Sequence, residues 1–146
     1  MDPLSITASV IAILQAGDRL TTLLGQIKPF FEAREEIDSL FNEVSELHLV
    51  LGDLRNTLTD PPSSEFLSTN KVDTLHRLVK DGEATLLQLE ELLQHYFVRF
   101  PDQNVLGVRK VRRLAWVKKR GQVEKLRRRL RDLRLTIAVQ LGSVNL

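Results

Sequence analysis

Apolar positions along the chain recur at steps of three and four through most of its length, and breaks rich in proline, glycine or polar residues divide them into helical stretches. The first stretch starts at Asp2-Pro3, where the aspartate can cap the first turn and the proline fills a position whose amide is unpaired anyway. It runs to about Gln26 and is closed by Lys28-Pro29. From Pro3 to Gly17 it carries no charge, and only beyond Ala16 do its apolar residues narrow to one side at Leu20, Leu23, Leu24 and Ile27. A helix apolar over so much of its circumference must be buried, either inside a bundle or in lipid. The expectation is a leading rod sheltered by one-sided helices.

The second helix is predicted from about Phe30 to Leu58. Ile37, Leu40, Phe41, Val44, Leu47, Leu51, Leu54 and Leu58 form its stripe, and Glu32, Glu35, Glu36 and Asp38 crowd its positive end. Thr59-Asp60-Pro61-Pro62-Ser63-Ser64 is a loop. A third helix starts near Asn70, a candidate N-cap, with Val72, Leu75, Val79, Leu86, Leu89, Leu93 and Tyr96 as its seam. Gly82 falls on that seam and reads as a place of close helix contact. Phe100 to Asn104 breaks the chain again. A shorter segment then runs from Val105 to about Lys119, an interruption falls near Arg120-Gly121, and a last helix spans Gln122 to about Leu141. Val123, Leu126, Leu130, Leu133, Ile137 and Leu141 are its buried stripe. No segment alternates with period two. The fold class is therefore all-α, a bundle of four to five helices with a largely buried apolar N-terminal helix, in one domain over residues 1–146.

Composition narrows this little. A length of 146 residues suits one domain with a core of its own, and the absence of cysteine excludes a disulfide scaffold and thiolate chemistry. The first stretch lacks the basic amino end of a secretory signal, carrying Asp2 instead, and its uncharged run is too short to span a bilayer. The expected location is cytoplasmic, with the first stretch still able to lie on a membrane.

Charge changes the picture more. The net charge of +2 conceals −7 through Asn70, −2 from Lys71 to Asn104 and +11 from Val105 to Leu146. Arg109, Lys110, Arg112, Arg113, Lys118, Lys119 and Arg120 precede an arginine-rich helix that adds Arg127, Arg128 and Arg131. Such clusters pair with acidic helices of their own fold or bind anionic lipid, phosphate or a protein partner. Specific nucleic-acid binding is disfavoured, because Trp116 is the one aromatic in this basic third. Trp116 reads first as a core anchor and otherwise as a residue at headgroup level. Tyr96, Phe97 and Phe100 are expected to close the opposite end of the core.

No catalytic constellation emerges. The chain lacks a phosphate-binding glycine loop, a nucleophile elbow and a paired-histidine metal motif. His48, His76 and His95 have no second ligand at metal spacing, and Glu35-Glu36 and Glu90-Glu91 are neighbours that point to different sides of a helix. Neither an enzyme nor a cofactor is expected.

The opening Met1-Asp2-Pro3-Leu4-Ser5-Ile6-Thr7-Ala8-Ser9-Val10-Ile11-Ala12-Ile13-Leu14-Gln15 resembles a fungal amino-terminal domain family found ahead of NOD-like receptor (STAND) modules. The chain resembles the azaphilone pigments biosynthesis cluster protein L N-terminal domain family. Leu114-Ala115-Trp116-Val117-Lys118-Lys119 and the helix from Val123 to Leu141 match its late pattern, although the family often has Pro-Phe where this chain has Val117-Lys118. The family is similar to the HeLo-like helical bundles of heterokaryon incompatibility, programmed cell death and innate immunity. The resemblance implies a signalling or cell-death effector module of a receptor-type protein, working by self-association and membrane engagement of the first helix. Leu4, Ile6, Val10, Ile11, Ile13 and Leu14 would be its membrane-engaging residues. The alternative is a constitutive helical adaptor without membrane activity.

Overall fold

The computed structural model describes the backbone of residues 3–30, 34–60, 68–99 and 106–144, and the side chains of 5–29, 34–60, 68, 70–94 and 116–142. Among them there are four long helices and no strand: α1 (Pro3–Ile27), α2 (Arg34–Thr59), α3 (Thr69–Arg99) and α4 (Leu106–Val144). A single 3-10 turn, Lys28–Phe30, closes α1 where Pro29 denies the α-helix an amide.

Two sequence expectations shift. The cap of α3 is Ser68, whose Oγ accepts a hydrogen bond from the Lys71 amide at 3.2 Å, so Asn70 sits inside the first turn. Ser68, Thr69 and Asn70 are all good caps in a row, and the sequence alone does not choose among them. The interruption at Arg120-Gly121 is absent, because α4 continues through it for 39 residues. Gly121 has a helical φ and nothing near it, so its penalty is only about 1 kcal/mol. The stripe of Trp116, Val123, Leu126 and Leu130 carries the same face across that glycine and offsets the penalty.

The helices form a square. α1 packs on α2 and α3, and α4 packs on the same two, leaving α1 and α4 at opposite corners. Gly17 lies against Val44, and Asp18 and Lys28 reach His48 and Asp38, so α1 and α2 run antiparallel. Ile13 against Gly82 and Arg19 against Glu90 make α1 and α3 parallel. Glu36 with Arg120, and Glu46 with Arg134, make α2 and α4 parallel as well. The chain therefore passes from α2 to the helix diagonally across the bundle.

The core is continuous along all four helices, with Ile6, Leu20, Leu24, Leu47, Leu75, Leu130 and Ile137 fully enclosed. Each such side chain contributes about 1.5–3 kcal/mol when withdrawn from water. The buried hydroxyls of Ser9, Thr57 and Thr85 donate to the carbonyls of Ser5, Asp53 and Asp81 one turn back, so none is left unsatisfied. Tyr96, Phe97 and Phe100 lie outside the described side chains.

α1 is largely buried, as its sequence requires, but as a corner stave and not as a central rod. Ser5, Ala8, Ile11, Gln15 and Thr22 face water along one strip. The reason is chemical: much of the uncharged run is small or hydroxylated, and such residues lie at a surface without penalty.

Candidate functional site: an apolar corner and a basic corner

The apolar candidates separate by face. Ile6, Val10, Ile13 and Leu14 are in the core, at most 8% exposed, whereas Ile11 is 43% exposed on the outer strip. Leu4 lies outside the described side chains. The seam with α3 is tight around Gly82, where a Cβ would stand 2.6 Å from Ile13 Cδ1 and 3.9 Å from Leu133 Cδ1. The glycine that looked like a close contact is one, and it lets α1, α3 and α4 meet.

At the diagonal corner, α4 divides its charges. Glu36 on α2 accepts the Trp116 indole N–H at 2.9 Å and lies 2.6 Å from an Arg120 guanidinium nitrogen. This bond, with only 7% of Trp116 exposed, seats the indole as a core anchor and leaves it no headgroup role in the closed bundle. One heptad on, the buried Glu43 carboxylate accepts from Arg134 Nε at 3.2 Å and lies 3.8 Å from Arg127 Nη1. Arg134 also reaches Glu46 at 3.1 Å. Arg120, Arg127 and Arg134 are seven residues apart, which keeps them on one face against α2.

Glu43, Glu46 and Arg134 were not singled out as site residues by their sequence. The available signal was the heptad match between Glu36 and Glu43 on one helix and Arg120, Arg127 and Arg134 on the other.

The remaining basic candidates point outward. Lys118, Lys119, Arg128 and Arg131 are exposed, and of these only Arg128 has an ion pair among the described residues, with Glu124 at 3.5 Å. The hydrogen bond from Arg127 holds the Glu124 carboxyl below its ordinary range against the opposing effect of burial, and in return raises the Arg127 guanidinium. Arg109, Lys110, Arg112 and Arg113 lie on the helical backbone of α4, with side chains outside the described set.

A family model, described as Pigment biosynthesis cluster protein PigL N-terminal, matches the chain over residues 1–146. The chain belongs to this family. No curated protein and no solved structure matches it. In this chain the two corners are the candidate surfaces. Among the described residues there is no cluster of His, Asp and Glu able to hold a metal, and no helix is long and apolar enough to cross a membrane. An open groove of ≈ 480 Å³ between the ends of α2 and α4 is lined by Val50, Asp53, Thr57, Ala138 and Leu141, and the Thr57 hydroxyl there donates to the Asp53 backbone carbonyl.

Proposed function

We propose that this domain is a non-catalytic signalling module of a receptor-type protein, and that it acts by self-association and engagement of α1 with a membrane. The observation that carries the reading is the way α1 is held. Its inward face is apolar but for Ser9, whose hydroxyl is satisfied within the helix, and its polar contacts to neighbours, Arg19 with Glu90, Lys28 with Asp38 and Asp18 with His48, involve mostly exposed side chains worth little each. Release of α1 breaks two seams of the square and leaves α4 joined to both α2 and α3.

Leaving the core is feasible only where equal apolar burial awaits. Clustered copies offer it by bringing several first helices to one place. Because α1 alone does not cross a bilayer, its engagement is burial of the apolar face at the lipid interface beside neighbouring copies. The protein rests in the cytoplasm and moves to the plasma membrane when the receptor assembles.

Ile11 supplies the test, since it can be changed without entering the core. Ile11→Asp should leave the melting temperature of the soluble domain within a few degrees while lowering dye release from vesicles at least tenfold, because clustered first helices that turn the inner face to lipid pack the Ile11 edge against neighbouring copies, where a carboxylate would be buried without a partner. Unchanged dye release from a folded, vesicle-bound Ile11→Asp protein would refute α1 engagement. An absence of release from the unmodified protein at any surface density points to the constitutive adaptor instead.

A further inference from the structure

The arginines of α4 turned toward α2 are already satisfied, so any external anion must be met by the others. Lys118, Lys125, Arg128 and Arg131 are exposed, and Lys118, Lys125 and Arg131 make no ion pair with a described residue. At about 100° per residue they fall on the side of α4 opposite Leu126, Leu130 and Ile137. That side also carries exposed aliphatics: Val117 is 57% exposed, Leu135 46% and Val139 70%.

Cations alone would suit any phosphate-bearing partner, but the aliphatics narrow the choice. On a nucleic acid they have no matching surface, and no described aromatic on this face can stack on a base. A lipid headgroup layer takes both kinds of group, its phosphates and carboxylates facing Lys and Arg and its acyl boundary receiving aliphatic side chains.

We infer that the outer face of α4 is a docking surface for an anionic lipid bilayer, and that the bundle docks on it closed, with α1 on the far corner. The second half follows from the square. α1 and α4 share α2 and α3 as neighbours and are diagonal, so with neighbouring axes 8–10 Å apart α1 sits roughly 11–14 Å further from the lipid than α4. A docked closed copy cannot bury α1 in the same bilayer. Docking and α1 engagement are then successive steps: the basic corner concentrates closed copies on the surface, and only their clustering releases α1. The sequence of steps rests on the proposed function, whereas the docking face does not.

The test is co-sedimentation of the 146-residue chain with phosphatidylcholine vesicles, with and without phosphatidylserine, at low and high salt. The unmodified chain should bind only the anionic vesicles, more weakly as salt rises. Replacing three unpaired cations together, Lys118→Gln, Lys125→Gln and Arg131→Gln, should reduce that affinity about a hundredfold without altering the melting temperature. Leu135→Ser with Val139→Ser should weaken vesicle binding at high salt, where the aliphatic contribution remains.

Ile13→Cys with Gly82→Cys allows α1 to be locked to α3 in a chain that has no cysteine of its own. A Cβ at 82 stands 4.0 Å from Ile13 Cγ1, the position a cysteine sulfur would take. The oxidised protein should bind anionic vesicles as tightly as the reduced protein. Loss of binding on oxidation, or full binding by the triple Gln variant, overturns the docking face. Duplex DNA bound as tightly as the anionic vesicles and indifferent to the two serines overturns the choice of lipid. Dye release by the oxidised form refutes α1 engagement instead and leaves the docking face standing.

Discussion

The seam between α1 and α3 and the seam between α2 and α4 are both parallel helix pairs, and they are built from opposite materials. The first is apolar and close, with Gly82 letting Ile13 approach the α3 backbone and, among the described residues, one ion pair at its margin, between exposed Arg19 and half-buried Glu90. The second is strung with charge, Glu36, Glu43 and Glu46 receiving Arg120, Arg127 and Arg134 in heptad register. An apolar seam is indifferent to its partner and can be exchanged for lipid or another apolar helix. A seam of partly buried ion pairs fixes one register and cannot be carried into lipid without a large desolvation penalty. In the proposed function, α1 is accordingly the helix that leaves and the α2–α4 pair the frame that stays.

The largest expected effect breaks the apolar seam. Ile13→Asp places a carboxylate where the native side chain is 1% exposed, and it should cost more than about 4 kcal/mol and abolish the cooperative thermal transition in circular dichroism. Retained folding would mean that α1 is not needed in the closed bundle. Next comes the charged seam: Glu43→Ala strips the shared acceptor from two arginines and should destabilise by about 3 kcal/mol in urea titration. Combining Glu43→Leu with Arg134→Leu should recover most of that loss, because packed aliphatics replace the pair, and it should reduce the salt dependence of stability.

A sharper probe is the Ile13 and Gly82 pair. Gly82→Ala alone forces Ile13 Cδ1 aside, and Ile13→Val alone leaves a small void, each costing about 1 kcal/mol. The double variant moves one methyl across the seam and should come within about 0.5 kcal/mol of the unmodified chain, a coupling measurable by a double-mutant cycle. Strict additivity would show that the two residues do not meet.

The smallest effect is at Glu124. Arg127 depresses its carboxyl, so its contribution is present above the ordinary carboxylate range and lost as pH falls through the folded-state value. Glu124→Gln should flatten the acid limb of the stability profile slightly and leave neutral-pH stability within about 0.5 kcal/mol, since the half-buried carboxylate is still screened by solvent.

Most of the fold was legible because leucine periodicity is a local signal. The stripes on α2, α3 and α4 that the sequence marks are the faces found buried, and α1 and α2 stop within a residue of their expected C-terminal ends, whereas Phe30, the expected start of α2, belongs to the 3-10 turn and α2 begins at Arg34. Phe41 is the exception among the α2 stripe, at 41% exposure, because helix geometry places it at the margin of the stripe. The break at Gly121 was misread because a glycine ends a helix only when the surrounding fold has nothing to hold it straight. The candidate surfaces were less legible. The sequence counts the arginines of α4, but whether one is free or committed depends on which helix lies beside it.

What the sequence determined by itself is the set of amphipathic rods, the uncharged leading segment and the opposition of an acidic front to a basic back. These follow from residue order alone, since a helix fixes the angular position of every side chain about its axis. Only the tertiary structure decided that α1 stands at a corner, diagonal to α4, and that Arg127 and Arg134 are held by Glu43 while Lys118, Lys125 and Arg131 face water. Which helices become neighbours is set by packing across the whole bundle, and a stripe of leucines does not name the stripe it will meet.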